Sequence, residues 1–289
     1  MMSMTGYGRK QHSADGREIT LEIKTVNHRF LDISMRLPRA LSFAEDAVRR
    51  QIGESLTRGH ADVFLNYTNT REDAREVRVD EALAAQYKAA FEKLSQVLGQ
   101  EGDILSLVAS QPDVLTVTTR EEDQEAVSAL LRETLADVLS DVVRMRGIEG
   151  EALKKDLTTH LDALAALRDE IESLAPGVPK SYQEKLRARL KELGVNELDE
   201  QRLAQEVALM ADHCAIDEEL SRIASHIAQM REAMAAGGEA GRRLDFLTQE
   251  LNREVNTIGS KASDAAITKL VVRAKSEIEK LREQVQNVE

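Results

Sequence analysis

The chain has 289 residues, enough for one large domain or a few smaller ones with a sizeable buried core. It has no tryptophan and 3% aromatics, and Ala, Leu, Glu, Arg and Val dominate, a helical composition. Its one cysteine, Cys214, excludes an internal disulfide, and no apolar run approaches the ~20 residues of a membrane span, so the expectation is a cytoplasmic protein with no membrane partner. The net charge of −12 argues against a polyanionic partner, but it is unevenly spread. Residues 1–39 carry seven basic against four acidic groups, and residues 242–289 nine against eight. Any nucleic-acid surface is therefore expected at the two ends of the chain.

The first 70 residues alternate with period two. Ile19, Leu21, Ile23 and Thr25 form one strand and Leu31, Ile33, Met35 and Leu37 a second, with Asn27-His28-Arg29 between them as a turn, a bulge or a site. Leu41, Ala44, Val48, Ile52 and Leu56 make a helix ending near Gly59, and Ala61, Val63, Leu65 and Tyr67 a further strand. Met4 to Lys10 adds an edge strand. Its glycines do not sit in a dinucleotide-binding pattern, so no nucleotide cofactor is expected.

From Asp80, an N-cap, the pattern turns helical: one helix to Gly99, a short apolar piece from Ile104 to Val108, then two long amphipathic helices over Asp123–Arg146 and Glu149–Leu174. Pro176 and Pro179 punctuate the following loop, and Tyr182–Leu193 is a shorter helix. The last third reads as two long helices joined by a glycine loop at Gly237-Gly238. The first of them changes apolar phase near His213, where it must kink, break or change neighbours. The expected class is α+β, with an N-terminal α+β domain over 1–120, a central helical region over 121–205 and a C-terminal helical domain over 206–289.

Residues 242–261 are the most informative stretch. Leu244, Leu247, Leu251, Val255 and Ile258 form an apolar stripe, while Gln249, Asn252, Asn256 and Ser260, all indifferent helix formers, share the rest of the circumference with Glu250, Arg253, Glu254, Thr257 and Lys261. Such a row is either a solvated face with i,i+4 pairing or a site. Glu250 and Glu254, one turn apart, can hold a hard divalent cation, Mg²⁺ or Mn²⁺, while Arg253 and Lys261 suit phosphate oxygens. Glu219, Arg222 and His226 lie along the margin of the preceding helix, and a short loop would place that helix antiparallel, opposite the two glutamates. HExxH, paired CxxC and Walker motifs are all missing, so zinc hydrolase and NTPase readings have no support.

The run DFLTQELNREVNTIGSKASD with the terminal REQVQNVE resembles the C-terminal signature of the YicC/YloC family of bacterial proteins, and MTGYGR, VNHRFLDISMRLP and RMRGIEGEAL resemble its other landmarks. The resemblance implies a metal-dependent endoribonuclease, a hydrolase cutting single-stranded RNA with Mg²⁺ or Mn²⁺, assembled as a homo-oligomer, a homo-hexamer by family analogy. Residue by residue it marks Phe246, Gln249, Glu250, Asn252, Arg253, Glu254, Asn256, Thr257, Ser260 and Lys261, then Asn27, Arg29 and Asp32 near the start. In DHCAIDEELSRIASHI it marks Ile216, Glu218, Glu219, Arg222, Ser225 and His226; Cys214-Ala215 departs from the family's usual small residue followed by Asp. The candidate site is thus Glu250, Glu254, His226 and Glu219 as catalytic groups, Glu250 and Glu254 as metal ligands, and Arg253, Lys261, Asn256, Arg222, Asn27 and Arg29 as RNA-binding groups. The competing reading is a helical oligomeric adaptor or RNA-binding scaffold whose polar rows are hydrogen-bond networks between protomers.

Overall fold

The computed structural model describes the chain except residues 100, 121, 195–198 and 237–239, so the expected Gly237-Gly238 loop lies outside the described residues. Strands β1 (Gly6–Ala14) and β2 (Arg17–Val26) form a hairpin around Asp15 and Gly16, both in the left-handed region at φ 49° and 71°. The chain continues through β3 (Leu31–Arg36), a 3₁₀ turn, helix α1 (Glu45–Ser55) and strand β4 (Gly59–Asn69). The sheet order is β1-β2-β4-β3, with β4 antiparallel to β2 and parallel to β3. Asn27-His28-Arg29 is therefore no hairpin turn. It carries the chain past the end of β4, which inserts between the two strands that the alternating pattern makes consecutive.

Ile19, Leu21, Ile23, Ala61, Val63 and Leu65 put one face of this sheet into a core shared with α1. Two further strands, β5 (Arg75–Val79) and β6 (Leu115–Thr119), pair antiparallel around α2 (Glu81–Leu98) and α3 (Ile104–Ala109). Both strands escape the sequence reading, because they are short and their apolar residues stay exposed. Asp80 caps α2 by accepting from the Leu83 amide, and Gly99 ends it at φ 63°. No residue of α2 is buried.

One helix, α4 (Gln124–Leu174, 51 residues), replaces the two expected over Asp123–Arg146 and Glu149–Leu174. Gly147 and Gly150 do not break it, because a helical glycine costs only about 1 kcal/mol, far less than neighbouring packing returns. Its first half closes the sheet core through Val127, Leu131, Leu135, Val138 and Val142, and its second half joins the C-terminal core from Leu153 to Ile171. The wide apolar faces of this helix are therefore spent inside the chain.

Between the two halves the stripe holds Arg146 and Gly150, and here both chain ends cross the helix. The fully buried Arg146 donates from Nε to the Ser3 carbonyl at 2.6 Å and pairs through Nη2 with Glu289 Oε2 at 3.1 Å. A Cβ on Gly150 would stand 2.4 Å from the Met1 carbonyl oxygen. Ser3 bridges Val288, so the first and last residues lie side by side.

After α5 (Val178–Glu192), the expected two long helices resolve into four: α6 (Glu200–His213), α7 (Asp217–Ala236), α8 (Gly241–Lys261) and α9 (Ala265–Val285). The phase change near His213 is a complete break. The division after Lys261 is set by Asp264, whose carboxylate accepts from the Ala266 and Ile267 amides at the start of α9.

Candidate active site

Helix α8 buries Leu244, Leu247, Leu251, Val255 and Ile258, the stripe expected from spacing. With this face inward, Glu250 and Glu254 fall on the flank toward α7, Arg253 and Phe246 on the crown, and Asn252 and Asn256 on the far flank. Three cross-links give the direction of α7: Glu219 meets Lys261, Arg222 meets Glu254, and His226 meets Glu250 and Glu254. Numbers rise on one helix as they fall on the other, so the pair is antiparallel as expected.

One donor atom each from His226, Glu250 and Glu254 lie within 4.8 Å of one another. Glu254 is only 4% exposed, and among the described residues its one hydrogen-bond donor is Arg222 Nη1 at 3.5 Å. His226 Nδ1 is buried without a hydrogen-bond partner among the described residues. A nearly unpaired buried carboxylate and an orphaned imidazole nitrogen are both costly. A divalent cation among the three would compensate the carboxylates, and one imidazole nitrogen with two carboxylates is a donor set such an ion accepts. The residues fit a metal.

The other candidates are placed as follows. Arg222 binds Glu218 as well as Glu254, and these two carboxylates hold its guanidinium above its ordinary pKa. The buried Glu219 accepts from Lys261 Nζ at 2.7 Å through Oε1, and its Oε2 has no partner among the described residues. Burial pushes the Glu219 carboxyl up, but the Lys261 ammonium, a backbone hydrogen bond and the Arg222 charge together outweigh it and the net shift is downward. Lys261 also donates to the Ala215 carbonyl at 3.0 Å, so its ammonium is committed within the protein. Arg253 and Asn256 are exposed and line an open groove of about 480 Å³ on the far side of α8 with Asn252 and Ser260.

Asn27 and Arg29, more than 200 residues earlier, reach the same region. Asn27 lines a cleft of about 570 Å³ with Arg58, Arg242 and Arg282, opposite Gln249 and Asn252 of α8. Gln249 and Asn252 line both the cleft and the groove, making them continuous. Arg29 lines a smaller adjoining recess with Arg58 and Arg242. The two chain ends thus form one polar surface. Sequence reasoning missed Arg58, Arg242 and Arg282, which belong to no periodic pattern and converge only through folding.

A second cluster escaped it too. At the start of β4, His60 Nδ1 is 2.8 Å from Asp32 Oδ2 and Nε2 is 3.3 Å from Asp62 Oδ1. The Asp32 hydrogen bond, opposed by burial and reinforced by Asp62, raises the imidazole pKa.

A cluster of two carboxylates and an imidazole on the α7 flank of α8, with an arginine-lined cleft on the opposite flank, fits the class of enzymes acting on an anionic substrate. Residues 1–155 match the family described as endoribonuclease YicC-like, N-terminal region, and residues 171–289 match its C-terminal counterpart. The chain is 40% identical over 291 aligned positions to the probable endoribonuclease YicC of Clostridioides difficile, covering 100% of this chain and 99% of that protein. It is 36% identical over 288 positions to the probable endoribonuclease YicC of Haemophilus influenzae, covering 99% of each. The chain belongs to the YicC-like endoribonuclease family.

Proposed function

We propose that the protein cuts single-stranded RNA internally with a divalent cation, Mg²⁺ or Mn²⁺, held by His226, Glu250 and Glu254. The carrying observation is the buried Glu254 carboxylate, which among the described residues has one long hydrogen bond and lies within ligand distance of Glu250 and His226. The imidazole donor favours Mn²⁺ over Mg²⁺. When bound, such an ion lowers the pKa of an attacking hydroxyl or water and stabilises charge on the phosphate. Arg222 orients Glu254 and Glu218 orients Arg222. Glu219 supplies a further buried carboxylate two turns before His226, and its Oε2 has no partner among the described residues. Arg253 and Asn256 hold phosphate and sugar oxygens along the groove, and Asn27, Arg29 and the cleft arginines extend that track.

We place the enzyme in the cytosol, on its single cysteine, and none of its described helices is long and apolar enough to cross a membrane. We further propose a homo-oligomer, a hexamer by family analogy. The supporting surface is the α2–α3–β5–β6 unit, where Val77, Val97, Leu98, Leu105 and Val117 are each more than 60% exposed.

The test is cleavage of an end-labelled unstructured RNA with and without chelator, alongside Mn²⁺ titration followed by electron paramagnetic resonance. Chelator-sensitive internal cuts and stoichiometric Mn²⁺ binding are expected. RNA left intact would favour the adaptor, and RNA cut equally in chelator would overturn the metal reading.

A further inference from the structure

We propose that Phe246 and Phe30 are base-stacking platforms that hold unpaired nucleotides on either side of the arginine cleft; this rests on the endoribonuclease reading and adds how the substrate is gripped. The chain has five phenylalanines and no tryptophan. Two of the five, Phe30 at 60% and Phe246 at 58%, are far more exposed than Phe43 at 39% or Phe64 at 36%. Both stand beside the polar surface.

Phe246 lies off the buried stripe of α8, which Leu244 and Leu247 already complete. Its helical neighbours at i−4, i+3 and i+4 are Arg242 of the cleft, Gln249 shared by cleft and groove, and Glu250 of the cation cluster. A ring here bridges the phosphate track and the carboxylates. Phe30 is presented from the other wall. Its carbonyl accepts from His28 Nδ1 at 3.0 Å and from the Gly59 amide at 3.3 Å, which pins the loop, while the Arg29 guanidinium lies 5.2 Å over the ring centroid. Phe30 lines the recess that Arg242 also lines, so a chain leaving one ring passes guanidinium groups before the other.

Guanidinium groups between two exposed rings match a single strand, whose phosphates need cations and whose bases offer free faces. In a duplex those faces are already stacked. The arrangement therefore selects unpaired RNA and sets the strand's register on His226, Glu250 and Glu254.

The experiment uses an RNA oligonucleotide carrying 2-aminopurine at one position, in chelator so that it binds without being cut. Wild type should quench the fluorophore at two positions. Phe246→Leu and Phe30→Leu should each abolish one quenching position and weaken single-strand binding about tenfold, with Mn²⁺ binding unchanged. Phe246→Trp should restore both. An abasic residue at either position should weaken wild type by a similar factor and the matching Leu variant little. If the Leu variants quench and bind like wild type, if Trp fails to rescue, or if wild type ignores abasic positions, the stacking inference falls while chelator-sensitive cleavage leaves the endoribonuclease reading standing. Wild type that neither binds nor cuts RNA overturns that reading, and the stacking inference with it.

Discussion

Lys261 Nζ donates to Glu219 Oε1 across 2.7 Å, tying the last residue of α8 to the first turn of α7. Sequence spacing offers Lys261 as a phosphate ligand, but its nearest anion is inside the protein. Lys261→Met leaves a buried carboxylate uncompensated and should cost about 1–2 kcal/mol, less than a fully buried pair because the ammonium is partly exposed. The Glu219 carboxyl is held below its ordinary pKa, so its contribution is present above the unfolded value of about 4.3 and is lost as pH falls through the lower folded value. Urea melts of wild type and variant from pH 7 to pH 3 should converge at the acid end.

Glu250→Gln and Glu254→Gln keep shape and helix propensity but remove charge. Cleavage should fall by about two orders of magnitude or more, with circular dichroism and assembly unchanged. Mn²⁺ titration of each variant and of His226→Ala should show weakened binding. Unchanged cleavage by both glutamine variants would move the site elsewhere.

Arg242 is exposed and lines both cleft and recess. Arg242→Ala should weaken RNA binding regardless of base sequence and lower the slope of log K against log salt by about 0.7, one phosphate contact on a single strand. A set of binding isotherms across salt concentrations measures this directly.

His60, bonded to Asp32 and Asp62, should keep its proton above the ordinary histidine pKa of about 6.5. The stabilisation from this raised pKa is complete below 6.5 and is lost as pH rises through the folded value. In an NMR titration Asp32→Asn should bring the His60 midpoint down, because it removes the largest raising contact.

Gly147 and Gly150 lie three residues apart in α4 with opposite surroundings. A Cβ on Gly147 meets nothing within 4 Å, whereas one on Gly150 meets the Met1 carbonyl oxygen at 2.4 Å. Thermal melts should show Gly147→Ala stabilising by about 0.5–1 kcal/mol and Gly150→Ala destabilising as it dislodges the N-terminal residues.

What the sequence by itself determined is local. Period two in residues 19–25 and 31–37, period 3.6 in 244–258 and the caps at Asp80 and Gly99 all appear in the structure, because each depends on neighbours within a turn or a pleat. The antiparallel facing of α7 and α8, which joins His226 to Glu250 and Glu254, was also legible, since a short connection leaves few alternatives. Tertiary structure alone decided that β4 separates β2 from β3, that α4 runs unbroken past two glycines, and that Arg58, Arg242 and Arg282 share one cleft. Strand order is set by pairing between residues distant in sequence. A glycine's modest helix penalty is outweighed by packing on both sides. Convergence of arginines 40 to 224 residues apart follows from the two chain ends meeting over Arg146, a contact that no local pattern encodes.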